Sequence, residues 1–137
     1  MGRVFFNTRK NVVEISAAKT VLPSDSGTLF MINQASAYAI TLPAPATALD
    51  GWHCEFIVGT VGSYANTITC TGTDLFHGFD IDMEAGAYGA TEGTGIDVIT
   101  LISGVTKGDR VSIMCDGTSY YYIAHAADAA HITVAAE

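Results

Sequence analysis

Residues 110–125, RVSIMCDGTSYYYIAH, set two alternating runs on either side of Asp116-Gly117. An Asp-Gly pair between alternating apolar runs is a strong hairpin signal, because glycine reaches positive φ at no steric cost. The stretch therefore predicts two antiparallel strands joined by a tight turn. Its period of two places Tyr120 and Tyr122 on one face.

The same alternation recurs in both directions from this hairpin. Strands are expected over 3–7, 12–15, 28–32, 39–42, 52–58, 67–71, 97–102, 110–115, 119–125 and 132–134. No window repeats apolar residues at the i, i+3, i+4, i+7 spacing of an amphipathic helix. The expected fold is all-β: a β-sandwich or jelly-roll-like module of about ten short antiparallel strands. Asp25-Ser26-Gly27 reads as a turn. Pro43 and Pro45 limit 43–50 to a loop or one helical turn. The stretch 74–95, with Gly78, Gly86, Gly89, Gly93 and Gly95 and Gly72 at its edge, reads as a long exposed excursion. The alanine-rich run 124–137 has helical composition but ends in Ile132-Thr133-Val134, which favours a strand.

The 137 residues fall in the range of one domain, divided as an N-terminal arm at 1–18 and a single β-sandwich domain at 19–137. The chain is 49% hydrophobic and 15% charged, against a usual charged share of about 25%. So little charge on so apolar a chain points to surface buried against partner chains. The net charge is −8, yet Arg3, Arg9, Lys10 and Lys19 put four of the six basic residues in the first nineteen positions. The remaining acidic body repels nucleic acid, whose affinity comes from neutralising phosphates. No stretch has the ~20 apolar residues of a membrane span, and none reads as a secretory signal.

Nothing in the chain carries the spacing of a catalytic motif: GxSxG, HExxH, a Walker lysine and GxGxxG are all missing. His53, His77, His125 and His131 read as structural or solvated, and no enzymatic activity or cofactor is expected. Cys54, Cys70 and Cys115 are odd in number, lack metal-ligand spacing, and sit in apolar or alternating stretches, so they read as free thiols packed as small hydrophobes. Asp80, Asp82 and Glu84 alternate along one strand face. A calcium site needs six to eight oxygens, so a solvated face is expected there and no metal. Trp52, Tyr64 and the Tyr120–Tyr122 run offer amphipathic rings for an interface or a sugar platform.

One part of the chain resembles a known module. KTVLPSDSGTLFMINQASAYAITLP at 19–43 has a Thr-Leu strand, an Asp-Ser-Gly turn, a strand ending in Asn, and an Ile-Thr-Leu-Pro strand. With GWHCEFIV at 51–58, NTITCT at 66–71 and KGDRVSIMCDGTSYYYI at 107–123, it resembles a module of tailed-bacteriophage virion proteins, though tyrosines stand where the module's last hairpin carries Trp. As a small chain without fibrous repeats, it looks most like a capsid decoration, or cement, protein. The resemblance implies a homotrimer on the outside of the mature head, made in the host cytoplasm and carried in the virion, with the major capsid protein as partner. The arm residues Arg3, Phe5, Phe6, Arg9, Lys10 and Lys19 would then contact the capsid, and Trp52, Tyr120 and Tyr122 would face an interface or ligand. The alternative is a receptor- or glycan-binding module of a tail or head fibre.

Overall fold

A computed structural model describes residues 10–72, 75–83 and 89–136. The strand expected at 3–7 and the residues Arg3, Phe5, Phe6, Arg9 and Glu84 lie outside the described residues. Twelve strands are present among those described: β1 (Asn11–Ile15), β2 (Lys19–Thr20), β3 (Thr28–Asn33), β4 (Tyr38–Leu42), β5 (His53–Thr60), β6 (Asn66–Cys70), β7 (Phe76–Asp82), β8 (Gly89–Ile96), β9 (Val98–Leu101), β10 (Arg110–Cys115), β11 (Tyr120–Ala126) and β12 (Ile132–Ala135). Single 3₁₀ turns at Pro23–Asp25 and Thr47–Leu49 are the helical pieces.

The strands form two sheets, ordered β1-β3-β5-β10-β11-β7-β8 and β12-β9-β6-β4-β2. This all-β pattern is consistent with a sandwich, but its strands are not all antiparallel as expected. The first six alternate between the sheets, so β1, β3 and β5 pair in parallel on one side and β2, β4 and β6 on the other. The chain thus winds as a two-sided coil, each rung placing one strand in each sheet. Parallel and antiparallel strands share a period of two, so alternation alone could not distinguish them. The final strands are partly antiparallel, with β10 inserted between β5 and β11.

Inward residues close a continuous core. Phe30 and Phe56 stack at 5.2 Å from neighbouring rungs, and Tyr120 meets Trp52 edge-on at 5.9 Å. The polar tips of these amphipathic rings find carbonyls: Trp52 Nε1 donates to Pro23 O at 3.1 Å and Tyr120 Oη to Pro43 O at 2.7 Å. The rung corners are held by buried polar side chains. Tyr38 Oη donates to Ile15 O, and Gln34 receives Gly62 N–H at Oε1 while its Nε2 donates to Ile102 O. Such bonds satisfy backbone groups that a buried bend leaves without a ladder partner.

The hairpin at Asp116-Gly117 forms, with Cys115 opposite Tyr120. Its two loop residues are Gly117 and Thr118, with Gly117 at φ +86°. Asp116 flanks the loop and accepts Thr118 and Ser119 N–H at 2.8 Å each, which holds its carboxyl below the usual range.

Where a long exposed excursion was expected at 74–95, the described residues 76–82 and 89–96 form β7 and β8, paired antiparallel, with β7 running parallel to β11. Glycine there serves strand contact: Gly78 lies opposite Tyr122, whose ring and carbonyl occupy the space a Cβ would need.

Candidate functional site

Every second residue of the seven-stranded sheet faces away from the core, and this outer side carries the least ordinary chemistry of the molecule. On β11 the inward residues Tyr120, Tyr122, Ala124 and Ala126 are buried, while Tyr121, Ile123 and His125 are exposed. On β7, Phe79 and Ile81 face outward together with Met83 just beyond the strand; Asp82 is buried and Asp80 half-buried. The acids of this strand are therefore not the solvated face expected from their alternation. Phe79 stands opposite Ile123, and Tyr121 opposite Met114, so the apolar side chains run together across three strands.

Beside this strip lies a groove of about 380 Å³ whose walls include Lys10, His53, Glu55, Met114 and Tyr121. Lys10 Nζ is bonded to the Glu55 carboxylate, and Arg110 Nη1 lies 3.8 Å from Glu55 Oε1. His53 Nδ1 is 3.2 Å from Gly51 O. The groove thus joins an apolar surface to a compact cluster of polar tips.

The interface and ligand expectations for Trp52, Tyr120 and Tyr122 need correction as to exposure. All three are core residues, at 4%, 0% and 2% exposure. Alternation identified the common face of Tyr120 and Tyr122 but not that it turns inward. The exposed tyrosine of the run is Tyr121, and Tyr64 is exposed on the connection between β5 and β6. Of the arm residues, Lys10 reaches the outer side of the seven-stranded sheet. Lys19 sits on β2 with its ammonium 5.6 Å from the inward Phe30 ring, so the two basic groups do not converge on one surface.

The interior holds two notable carboxylates. Asp109 is buried and accepts Thr106 N–H at 2.8 Å and Ala127 N–H at 2.9 Å, with His131 Nδ1 at 2.8 Å. This joins the approach to β10 with the connection between β11 and β12. Asp80 is pushed up to about 6 by burial, a shift tempered by the nearby Tyr122 hydroxyl. Neither Asp80 Oδ1 nor the Tyr122 hydroxyl completes a hydrogen bond of good geometry. Burial, followed by the Asp80 charge, raises the Tyr122 phenol above its ordinary value.

The histidines are dispersed: His53 and His125 are exposed, His77 accepts Gly95 N–H at 3.1 Å, and His131 is on Asp109. Among the described residues no three His, Cys, Asp or Glu side chains are grouped to hold a metal. The cysteines are free, with Cys54 and Cys115 buried and Cys70 half-buried. Burial pushes all three thiols up, Cys70 to about 11. Those raised values disfavour the thiolate needed for nucleophilic chemistry.

No protein-family model, curated protein or solved structure matches the chain. Of the outer-face residues, Tyr121 was noted by sequence as part of the tyrosine run, while Phe79, Ile81, Met83, Met114 and Ile123 were not singled out. The FDIDM alternation at 79–83 separated apolar from acidic residues, but which set faces water depends on pairing with β11, distant along the chain.

Proposed function

We propose that this protein is a structural subunit that decorates the outer surface of a bacteriophage head and stabilises the mature shell. The observation that carries the reading is the exposed apolar side of the seven-stranded sheet on a sandwich whose other face has a closed core. Contiguous exposed apolar surface of this kind marks association with other proteins. The resemblance of residues 19–123 to a virion module supplies the setting, and the acidic body agrees with a protein rather than a nucleic-acid partner. The major capsid protein is the proposed partner, and the basic N-terminal arm the contact to it. Multivalent contact by a homo-oligomer, a trimer in the resembling proteins, converts weak single contacts into firm holding. Binding the mature lattice in preference to a broken one then stabilises it.

A second reading, a receptor- or glycan-binding module of a phage fibre, draws on the groove. Tyr121 presents an exposed ring beside His53, Glu55 and Lys10, a mixture of apolar and polar surface suited to a sugar.

The deciding experiment mixes purified protein with mature capsids lacking it, pellets the particles and counts bound copies. A saturating fixed ratio, with greater heat resistance of the shell, supports decoration. No binding overturns it, and binding on a glycan array would then establish the second reading. Deleting residues 1–10 is expected to leave a folded protein that no longer occupies particles, and retained occupancy would exclude the arm as the contact.

A further inference from the structure

The outward strip on β7, β11 and β10 is unusual in both extent and origin. Phe79, Ile81, Met83, Met114, Tyr121 and Ile123 are between 37% and 67% exposed. Aromatic side chains bury roughly 150–250 Å² each, and with the lower end of that range taken for the isoleucines and methionines, six side chains about half exposed present on the order of 500 Å². That lies in the upper part of the roughly 300–600 Å² found for the largest apolar patch on a typical monomer. It is also more than half of the ~800 Å² that one partner contributes to a standard interface.

Strand β7 is oriented against its own chemistry. It turns Phe79 and Ile81 to water while Asp80 and Asp82 face the interior, and a one-residue slip would reverse both. Such an orientation suits a sheet whose outer side is covered.

The charge around the strip narrows what covers it. Arg110 begins β10, beside His125 of β11, and Asp116 occupies the turn beyond its other end. Within the strip the named side chains are uncharged, although the chain as a whole carries −8. The strip is therefore uncharged along its centre, with Arg110 at one end of the strands and Asp116 at the other, and the mutually paired Lys10, Glu55 and Arg110 lie along its β5 side.

We infer that this strip is a self-association surface, covered by the same strip of a second copy of this chain. Two strips brought face to face about a two-fold axis that runs across the strands place Arg110 of each copy toward Asp116 of the other. Their apolar centres meet without bringing like charges together. An isologous contact of this kind needs only one self-complementary patch. The inference uses the same exposed face as the decoration reading but assigns it to a two-fold pair of this chain, distinct from the trimer of the resembling proteins, and leaves capsid contact to the N-terminal arm.

Sedimentation velocity of the full chain over a concentration series tests it, comparing wild type with Ile123→Lys and Phe79→Lys. Wild type is expected to sediment above the monomer mass, and each variant to weaken association at least tenfold with unchanged circular dichroism and melting temperature. A monomeric wild type at high micromolar concentration, or folded variants that associate normally, would overturn the inference. Ser112→Cys gives a second readout from the middle of the face, opposite Ile123. Mild oxidation should link pairs of chains through this cysteine, with wild type remaining unlinked. Associated Ser112→Cys protein that forms no such links would place the contact elsewhere and overturn the inference.

Discussion

Gly78 of β7 lies directly opposite Tyr122 of β11, and a Cβ built on it would stand 1.9 Å from the Tyr122 carbonyl oxygen. The obstruction is backbone and cannot swing aside. Gly78→Ala is accordingly expected to destabilise the protein by about 3 kcal/mol or to separate β7 from β11. Urea unfolding measures the first effect and amide hydrogen exchange on β7 the second. A variant indistinguishable from wild type by both would mean that the two strands do not approach as described.

Asp80, next to this contact, makes stability depend on pH. Its ordinary value of 3.8 is raised to about 6 in the folded protein, chiefly by burial. Between those values the folded state binds the proton more readily than the unfolded chain, so this carboxyl lowers stability as pH rises from about 4 to about 6. Above that window the penalty is constant, and below it the penalty vanishes. Asp80→Asn is expected to flatten that part of the profile and, after discounting for the group's partial exposure, to stabilise the protein by about 1 kcal/mol at pH 7. Chemical denaturation of both proteins from pH 4 to pH 8 checks this, and parallel profiles would refute it.

These two residues also mark the limit of what sequence reveals. The β10–β11 hairpin was legible because its turn chemistry and alternation are local. Strand β7 was not, because its glycine and acids argue for a loop until β11 supplies a partner more than forty positions away. The parallel coil of β1 to β6 was hidden for a related reason, since strand direction is set by crossings between sheets that leave no mark on a period of two. In the candidate site, sequence grouped Tyr120 with Tyr122 correctly. Their inward direction rests on the carbonyl of Pro43 for Tyr120 and on the packing of Tyr122 over Gly78.

Asp109 is a buried acid that holds three partners, and its loss should be felt at two connections. Asp109→Ala removes the acceptor for Thr106 N–H, Ala127 N–H and His131 at once. Unpartnered buried donors each cost about 1–3 kcal/mol. A loss of about 3 kcal/mol is expected, read as a lower urea midpoint with unchanged slope. The loops before β10 and before β12 should also gain amide exchange together. Faster exchange in only one of them would show that Asp109 does not couple the two.

The three thiols should separate by burial rather than by sequence context. Cys54 and Cys115 are enclosed in the core, whereas Cys70 is half-buried with its value raised to about 11, first by burial and then by the Asp97 charge. At pH 8 very little of Cys70 is thiolate, and the other two are shielded from reagent as well. An Ellman titration of the native protein is therefore expected to give slow, partial reaction at Cys70 and essentially none at Cys54 or Cys115. Full denaturation should release all three. Rapid reaction of a stoichiometric thiol in the native state would mean that the core around that cysteine opens, and mass mapping of the labelled residue would identify which sheet gives way.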